Sequence, residues 1–303
     1  MATWNELSND ISRAVEETGK SIVTVEGRGR PACGIILGGS TVVTAAHAIG
    51  EEEDLRVWIS PGTPLRASVK GRDSQTDIAL LATEAKIPEE QGRPAQFAEN
   101  PQLAVGQLVV SVARTRRGNI VASSGILSGL MGEWHTARGR KVDAFIRPDL
   151  LLYRGFSGGA LIGSDRKIIG MTTGFLRRGS PLAVPYATIN RVTKVLLEKG
   201  YVPGAYLGLG LQPVRVPESL KRKLNLSENA GALVVHVEPG GPADKAAVLV
   251  GDILLSLGEG RFSEERTTAM LSRLVPGQNA KVKAIRGGEL FDAQLNVGER
   301  RNR

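Results

Sequence analysis

Ser157 lies in the run Arg154-Gly155-Phe156-Ser157-Gly158-Gly159-Ala160, followed by the apolar pair Leu161-Ile162. Glycines on both sides of a serine let the backbone enter conformations closed to other residues and let a second chain come close. A serine hydroxyl is a weak nucleophile and needs a base, itself oriented by a third group. Upstream stands Thr44-Ala45-Ala46-His47-Ala48, directly after the apolar run Thr41-Val42-Val43. Between the two lies Thr76-Asp77-Ile78-Ala79-Leu80-Leu81, an acid at the head of an apolar run. An imidazole with a pKa near ~6.5 can take a proton and return it near neutrality, and a carboxylate beside it fixes its tautomer. These types in the order His, Asp, Ser point to acyl transfer through a serine nucleophile. Taken singly, each has a plain structural reading: a loop serine, a packed histidine, an aspartate capping its own turn.

Such residues must be held by rigid elements. Thr3 and Glu6 fit a capping box, and Leu7, Ile11, Ala14 and Val15 recur at helical spacing up to Gly19, which predicts an amphipathic opening helix that stops at this glycine. Short β runs follow over 22–25, 34–37, 41–44, 55–59, 78–81, 108–112, 121–127, 142–146 and 168–174, separated by glycine, proline and charged stretches. Many short strands with turn signals favour a barrel or sandwich over a parallel sheet. A further strand is expected over 182–185, then a closing helix over 187–199 carrying Ile189, Val192, Val195 and Leu196 and ending at Gly200. Val202-Pro203-Gly204 is a natural hinge.

Beyond the hinge come Ala205-Tyr206-Leu207-Gly208-Leu209-Gly210-Leu211, the strand-like 232–237, then Gly241-Pro242-Ala243-Asp244-Lys245-Ala246 and Gly251-Asp252-Ile253-Leu254-Leu255. A helix is expected over 263–274 and strands over 281–286 and 291–296.

Thr44-Ala45-Ala46-His47, Asp77-Ile78-Ala79-Leu80-Leu81 and Gly155-Phe156-Ser157-Gly158-Gly159 together resemble the trypsin-like serine proteases, and more narrowly the HtrA/Deg family, because the segment after the hinge resembles a bacterial PDZ domain. The resemblance covers nearly the whole chain. It implies a mainly β protein: a helix over 1–20, a chymotrypsin-like double β-barrel over 21–202 and a PDZ domain over 205–298. His47 and Asp77 would lie on the first barrel and Ser157 on the second, with the cleft between them. The turn Gly155-Phe156-Ser157 would form the oxyanion hole, its donors the amides of Gly155 and Ser157. The first substrate pocket would involve Leu151, at the position of the acidic floor in trypsin, together with Thr173 and Gly174. An apolar floor prefers aliphatic side chains and rejects lysine or arginine, whose buried charge would go unpaired.

The family usually has Asn where this chain has Phe156, and Pro where it has Arg154 and Ala160. A second reading therefore stands beside the endopeptidase, a catalytically silent peptide-binding or chaperone-like module. A third is an esterase, because an acyl-transfer site also hydrolyses activated esters. The PDZ resemblance implies capture of an extended C-terminal peptide as an added strand. The carboxylate loop would run over Tyr206, Leu207, Gly208 and Leu209, and Leu209, Leu211 and Met270 would supply the apolar pocket. The implied partners are unfolded proteins or peptides at the cleft and C-termini at the PDZ domain. The family often trimerises through N-terminal aromatics, for which Trp4 is the candidate.

Composition sets bounds. The 303 residues suggest about two domains, and 41% hydrophobic with 23% charged residues is a globular composition. Its one cysteine, Cys33, forms no intrachain disulfide and reads as a small buried side chain. The net charge of +8 comes from scattered basic residues without aromatic interleaving, so no specific nucleic-acid partner is expected. Without a Gly-rich phosphate loop followed by Lys-Ser/Thr, no ATP requirement is expected. His135 and His236 lack neighbours at ligand spacing, and no metal or other cofactor is expected. No apolar segment is long enough to span a bilayer. The N-terminus does not read as a signal peptide. The chain is therefore expected either to stay in the cytoplasm or to have lost a leader, whereas the family is commonly extracytoplasmic.

Overall fold

A computed structural model describes residues 3–301 except 28–30, 51–53, 61, 63, 137–138, 177–179, 263–270 and 272–273. The chain opens with α1 (Trp4–Gly19), capped as its sequence requires. Thr3 Oγ1 accepts from the Glu6 amide at 3.3 Å, and a Glu6 carboxylate oxygen accepts from the Thr3 amide at 2.5 Å. Gly19 does not stop the helix by turning left-handed; the cap is Lys20 in an ordinary helical conformation. A Cβ on Gly19 would sit 2.2 Å from Ile120 Cδ1, so glycine serves close packing there.

The first barrel closes in the order β1-β2-β3-β6-β5-β4. Its strands are β1 (Ile22–Glu26), β2 (Ala32–Gly38), β3 (Thr41–Ala45), β4 (Leu55–Trp58), β5 (Leu65–Asp73) and β6 (Ile78–Thr83). Its core is aliphatic, built on Val23, Val25, Ile36, Val42, Leu55, Val57 and Leu81.

The second barrel uses β7 (Leu108–Arg114) and β8 (Ile120–Met131), then, past a small hairpin of β9 (Trp134–His135) and β10 (Lys141–Val142), β11 (Phe145–Asp149), β12 (Ala160–Ile162), β13 (Ile168–Thr173) and β14 (Leu182–Pro185). It closes in the order β11-β14-β13-β12-β7-β8. A shared apolar cluster joins the two barrels, with Ile35, Val43, Ile78 and Leu80 from the first and Val110, Val112, Phe156, Met171 and Val184 from the second. Helix α2 (Tyr186–Lys199) adds Ile189, Val192 and Leu196 to that cluster and ends at Gly200 with φ +74°, the left-handed cap glycine favours.

At Val202 and Pro203 the chain divides, residues 137–140 apart, into two compact units. The second contains β15 (Pro203–Tyr206), β16 (Leu209–Arg215), α3 (Glu218–Leu224), β17 (Ala230–Val237), α4 (Pro242–Lys245), β18 (Ile253–Leu257), β19 (Gly260–Arg261), β20 (Asn279–Arg286), β21 (Glu289–Asn296) and β22 (Gly298–Arg301). One sheet runs β16-β17-β18-β20-β21, with β19 on β18, and β15 pairs separately with β22. Its core includes Leu207, Ala232, Val234, Leu254, Val282 and Leu295. The helix expected over 263–274 falls largely outside the described residues. Among the described residues no helix is long and apolar enough to cross a membrane.

Candidate active site

The β3–β6 register, Ala45 opposite Ile78, puts the residues just past β3 against those just before β6. His47 follows on a single 3-10 turn, Ala46–Ala48, and Asp77 immediately precedes β6. The Ala46 amide donates to Asp77 O at 3.1 Å, and the His47 amide donates to Asp77 Oδ1 at 2.9 Å. The imidazole then turns Nδ1 onto the same carboxylate, 2.9 Å from Oδ1 and 2.8 Å from Oδ2. With Nδ1–H committed to a carboxylate, the neutral ring leaves Nε2 as the free base.

Asp77 is fully buried and has φ 61°, a left-handed conformation that costs most side chains on the order of 1–3 kcal/mol. Three neighbours hold it there: the His47 amide, the His47 ring and Thr173 Oγ1, which donates to Oδ2 at 2.5 Å. The ring of Phe175 stacks on His47 at 5.1 Å and 7°. Thr173 and Phe175 thus carry the second barrel onto the His–Asp pair.

The Ser157 turn is built from backbone. The Phe156 amide donates to Tyr153 O at 3.1 Å, and the Gly159 amide to Phe156 O at 2.9 Å. Gly158 has φ +86°, and a Cβ there would lie 2.0 Å from Cys33 O, so only glycine fits. Two bonds tie this turn to the first barrel: the Cys33 amide donates to Ser157 O at 2.9 Å, and Thr44, three residues before His47, donates to Cys33 O at 2.6 Å. Among the described residues no hydrogen bond joins Ser157 Oγ to His47; such bonds commonly tighten only when substrate is bound.

Of the turn expected to bind an oxyanion, the amides of Gly155 and Ser157 have no main-chain acceptor among the described residues, whereas the Phe156 amide is used inside the turn. Phe156 therefore contributes not a donor but a buried ring, packed in the shared cluster.

The residues expected at the substrate pocket have different surroundings. Leu151 is 67% exposed, and Leu150 and Leu152 pack inward on either side of it. Thr173 is fully buried, with its hydroxyl on Asp77, so it positions the carboxylate rather than lining a pocket. Gly174 is exposed, with no atom within 4 Å of where a Cβ would stand, as an open cleft edge requires.

Cys33 is buried, its thiol held between the amide and carbonyl of Arg114. Burial pushes its pKa up to about 11, which rules it out as a nucleophile near neutrality.

In the second unit, Leu207 is buried, Gly208 turns at φ +71°, and β16 is an edge strand. Gly208 O accepts from the Glu238 amide at 2.9 Å, and Leu207 O from the Ala243 amide at 3.0 Å. The Tyr206 hydroxyl donates to the Glu238 carboxylate. Leu209 and Leu211 pack partly onto the core, and Met270 lies outside the described residues.

The two closed barrels, with a His–Asp pair on one and a glycine-framed serine on the other, define a trypsin-like peptidase domain. A family model for the trypsin-like peptidase domain matches residues 32–171, and one for the PDZ domain matches 205–297. The chain therefore carries these two domains in that order. It is 29% identical over 268 residues, 85% of its own length, to a probable periplasmic serine endoprotease DegP-like of Rhizobium meliloti, covering 51% of that protein. It is 28% identical over 292 residues, 93% of its own length, to a DegP-like protein of Rickettsia conorii, covering 55% of it. The chain thus spans about half the length of the curated relatives it matches. Among solved structures, HtrA-type protease AlgW with decapeptide superposes with TM-score 0.71 at 20% identity, covering 96% of this chain and 99% of that one. The serine endoprotease from Yersinia pestis superposes with TM-score 0.70 at 24% identity, covering 95% of this chain and 97% of that one.

Proposed function

We propose that this chain is an ATP-independent serine endopeptidase acting on unfolded or damaged proteins, with a PDZ domain that binds C-terminal peptides. The observation that carries the reading is the His47 ring pinned through Nδ1 to buried Asp77, with the Ser157 turn tied to the strand leading into His47.

Ser157 Oγ attacks the carbonyl carbon of a peptide bond while His47 Nε2 takes its proton; His47 then gives that proton to the departing amine. Asp77 stays ionised and stabilises the imidazolium. The amides of Gly155 and Ser157 receive the negative oxygen of the tetrahedral intermediate, and each such donor is worth about 10²–10³ in turnover. Water, activated by the same histidine, hydrolyses the acyl-enzyme.

The Tyr206–Leu209 loop and the open edge of β16 suit an extended peptide added as a strand, with loop amides on its terminal carboxylate. By likeness to relatives named periplasmic, the chain works outside the cytoplasm, and the resemblance of its sequence implies a homo-oligomer for which a trimer is the candidate.

The test is digestion of casein without ATP. The reading predicts cleavage that Ser157→Ala abolishes, and binding of C-terminal peptides that amidation of the peptide terminus weakens. Peptide binding without any cleavage would favour the silent docking module instead.

A further inference from the structure

The stretch from Tyr153 to Ser157 must hold its shape for catalysis, and beyond its backbone bonds few side chains anchor it. Tyr153 is 58% exposed, Arg154 is exposed, Gly155 has no side chain and sits at φ +92°, and the Ser157 hydroxyl must stay free to react. Glycine-rich backbone has the most conformational freedom to lose, so such a turn does not order itself. One side chain in the stretch is buried: Phe156, 4% exposed, packed in the cluster that joins the two barrels.

The Phe156 main chain is bonded in both directions. Its amide donates to Tyr153 O, and its carbonyl accepts from the Gly159 amide at 2.9 Å and from Thr172 Oγ1 at 2.9 Å. Thr172 is fully buried on β13 and precedes Thr173, the donor to Asp77. Beside the ring lies a cavity of about 640 Å³ bordered by Pro31, Ala32, Ala113, Val121 and Tyr153. The loop therefore has room to move if the ring lets go.

We propose that Phe156 is a positioning residue for the oxyanion hole: its buried ring, with the Thr172 hydroxyl on its carbonyl, holds the amides of Gly155 and Ser157 in place. This rests on the peptidase reading above. The two donors flank Phe156 in the chain, so if its ring leaves the core and its main chain shifts, both amides shift with it. The buried cluster around the ring and the Thr172 hydroxyl both belong to the unit that contains the two barrels, so the hole is held by the peptidase domain's own core.

The experiment uses the full chain as wild type, Phe156→Ala, Phe156→Leu and Thr172→Val, with a short peptide amide substrate and a peptide aldehyde as probe. Ser157 Oγ adds to the aldehyde carbon while its proton passes to His47 Nε2, and the hemiacetal oxyanion left on the former carbonyl oxygen needs the hole. In Phe156→Ala, kcat is expected to fall about 10²-fold with KM little changed, and aldehyde affinity to fall in parallel, because donors of this kind act on the transition state. Phe156→Leu, which keeps an apolar anchor, recovers most of both, and Thr172→Val shows the same kcat-only loss in milder form. A purely structural role would instead lower the melting temperature and the folded fraction while leaving kcat per folded molecule and aldehyde affinity intact; that result overturns the proposal. A wild-type chain that neither turns over peptide nor binds aldehyde overturns the peptidase reading itself.

Discussion

Thr173 Oγ1 lies 2.5 Å from Asp77 Oδ2, a bond across 96 residues that ties β13 of the second barrel to the head of β6 in the first. A buried carboxylate needs every acceptor position it exposes to be satisfied, and removing one partner of such a group costs about 1–3 kcal/mol. Thr173→Val keeps the shape and removes the donor. It should destabilise the peptidase domain by that amount and lower kcat about tenfold through a looser imidazole. Thermal unfolding and steady-state kinetics check both; unchanged kcat would mean that His47 alone orients Asp77.

Gly158→Ala should be far more damaging than its size suggests. The added Cβ meets Cys33 O at 2.0 Å, on a residue with φ +86°. A loss of at least about 2 kcal/mol is expected, which lowers the melting temperature by roughly 4–8 °C in a domain of this size. Gly132→Ala, with open space around the position, is the control and should be near neutral. Equal melting temperatures for the two variants would refute the close fit.

Much of this was legible in advance, and the exceptions are instructive. The capping box at Thr3 and the Gly200 cap are local, so sequence alone shows them. Strand β5, Leu65–Asp73, went unread because its inward side mixes Leu65, Ala67 and Val69 with Gly71 and a buried Asp73, which breaks the apolar alternation halfway along. The sequence also treated Thr173 as a pocket residue. Every residue of β13 is buried, so no alternation reveals which threonine faces Asp77. The exposure of Leu151 is hidden for a related reason: whether it or its neighbours point inward past the end of β11 depends on contacts distant in the chain. The aromatic lid on His47 left no local signal either, since Phe175 acts through a fold-level juxtaposition.

Cys33 should resist alkylation in the folded protein. Burial raises its pKa to about 11, so at pH 8 almost no thiolate forms and little of the thiol can be reached. Iodoacetamide should label it only after denaturation, by intact-mass analysis, and Cys33→Ser should keep its peptidase activity. Full labelling of native protein would contradict the packing described.

The PDZ domain carries its own acid sensitivity. Burial opposes ionisation of Asp252, but the Arg286 guanidinium, at 2.8 and 2.7 Å from its two oxygens, and the Leu249 amide outweigh it and hold the carboxyl below its ordinary value. A depressed folded-state pKa gives stability that is complete above the unfolded value of about 3.9 and is lost as pH falls through the folded one. Urea titrations read from methyl signals of Leu254 and Val282 should show wild type losing more stability from pH 7 to pH 3 than Asp252→Asn, which starts lower and changes less. Parallel losses would remove Asp252 from the account.

The most direct measurement is reaction of the full chain with a fluorophosphonate, followed by peptide mapping. An activated serine takes up one phosphonyl group, and the account predicts a single adduct on Ser157, absent in Ser157→Ala and strongly slowed in His47→Ala. No adduct on Ser157, with casein or a C-terminal peptide present or not, would contradict it.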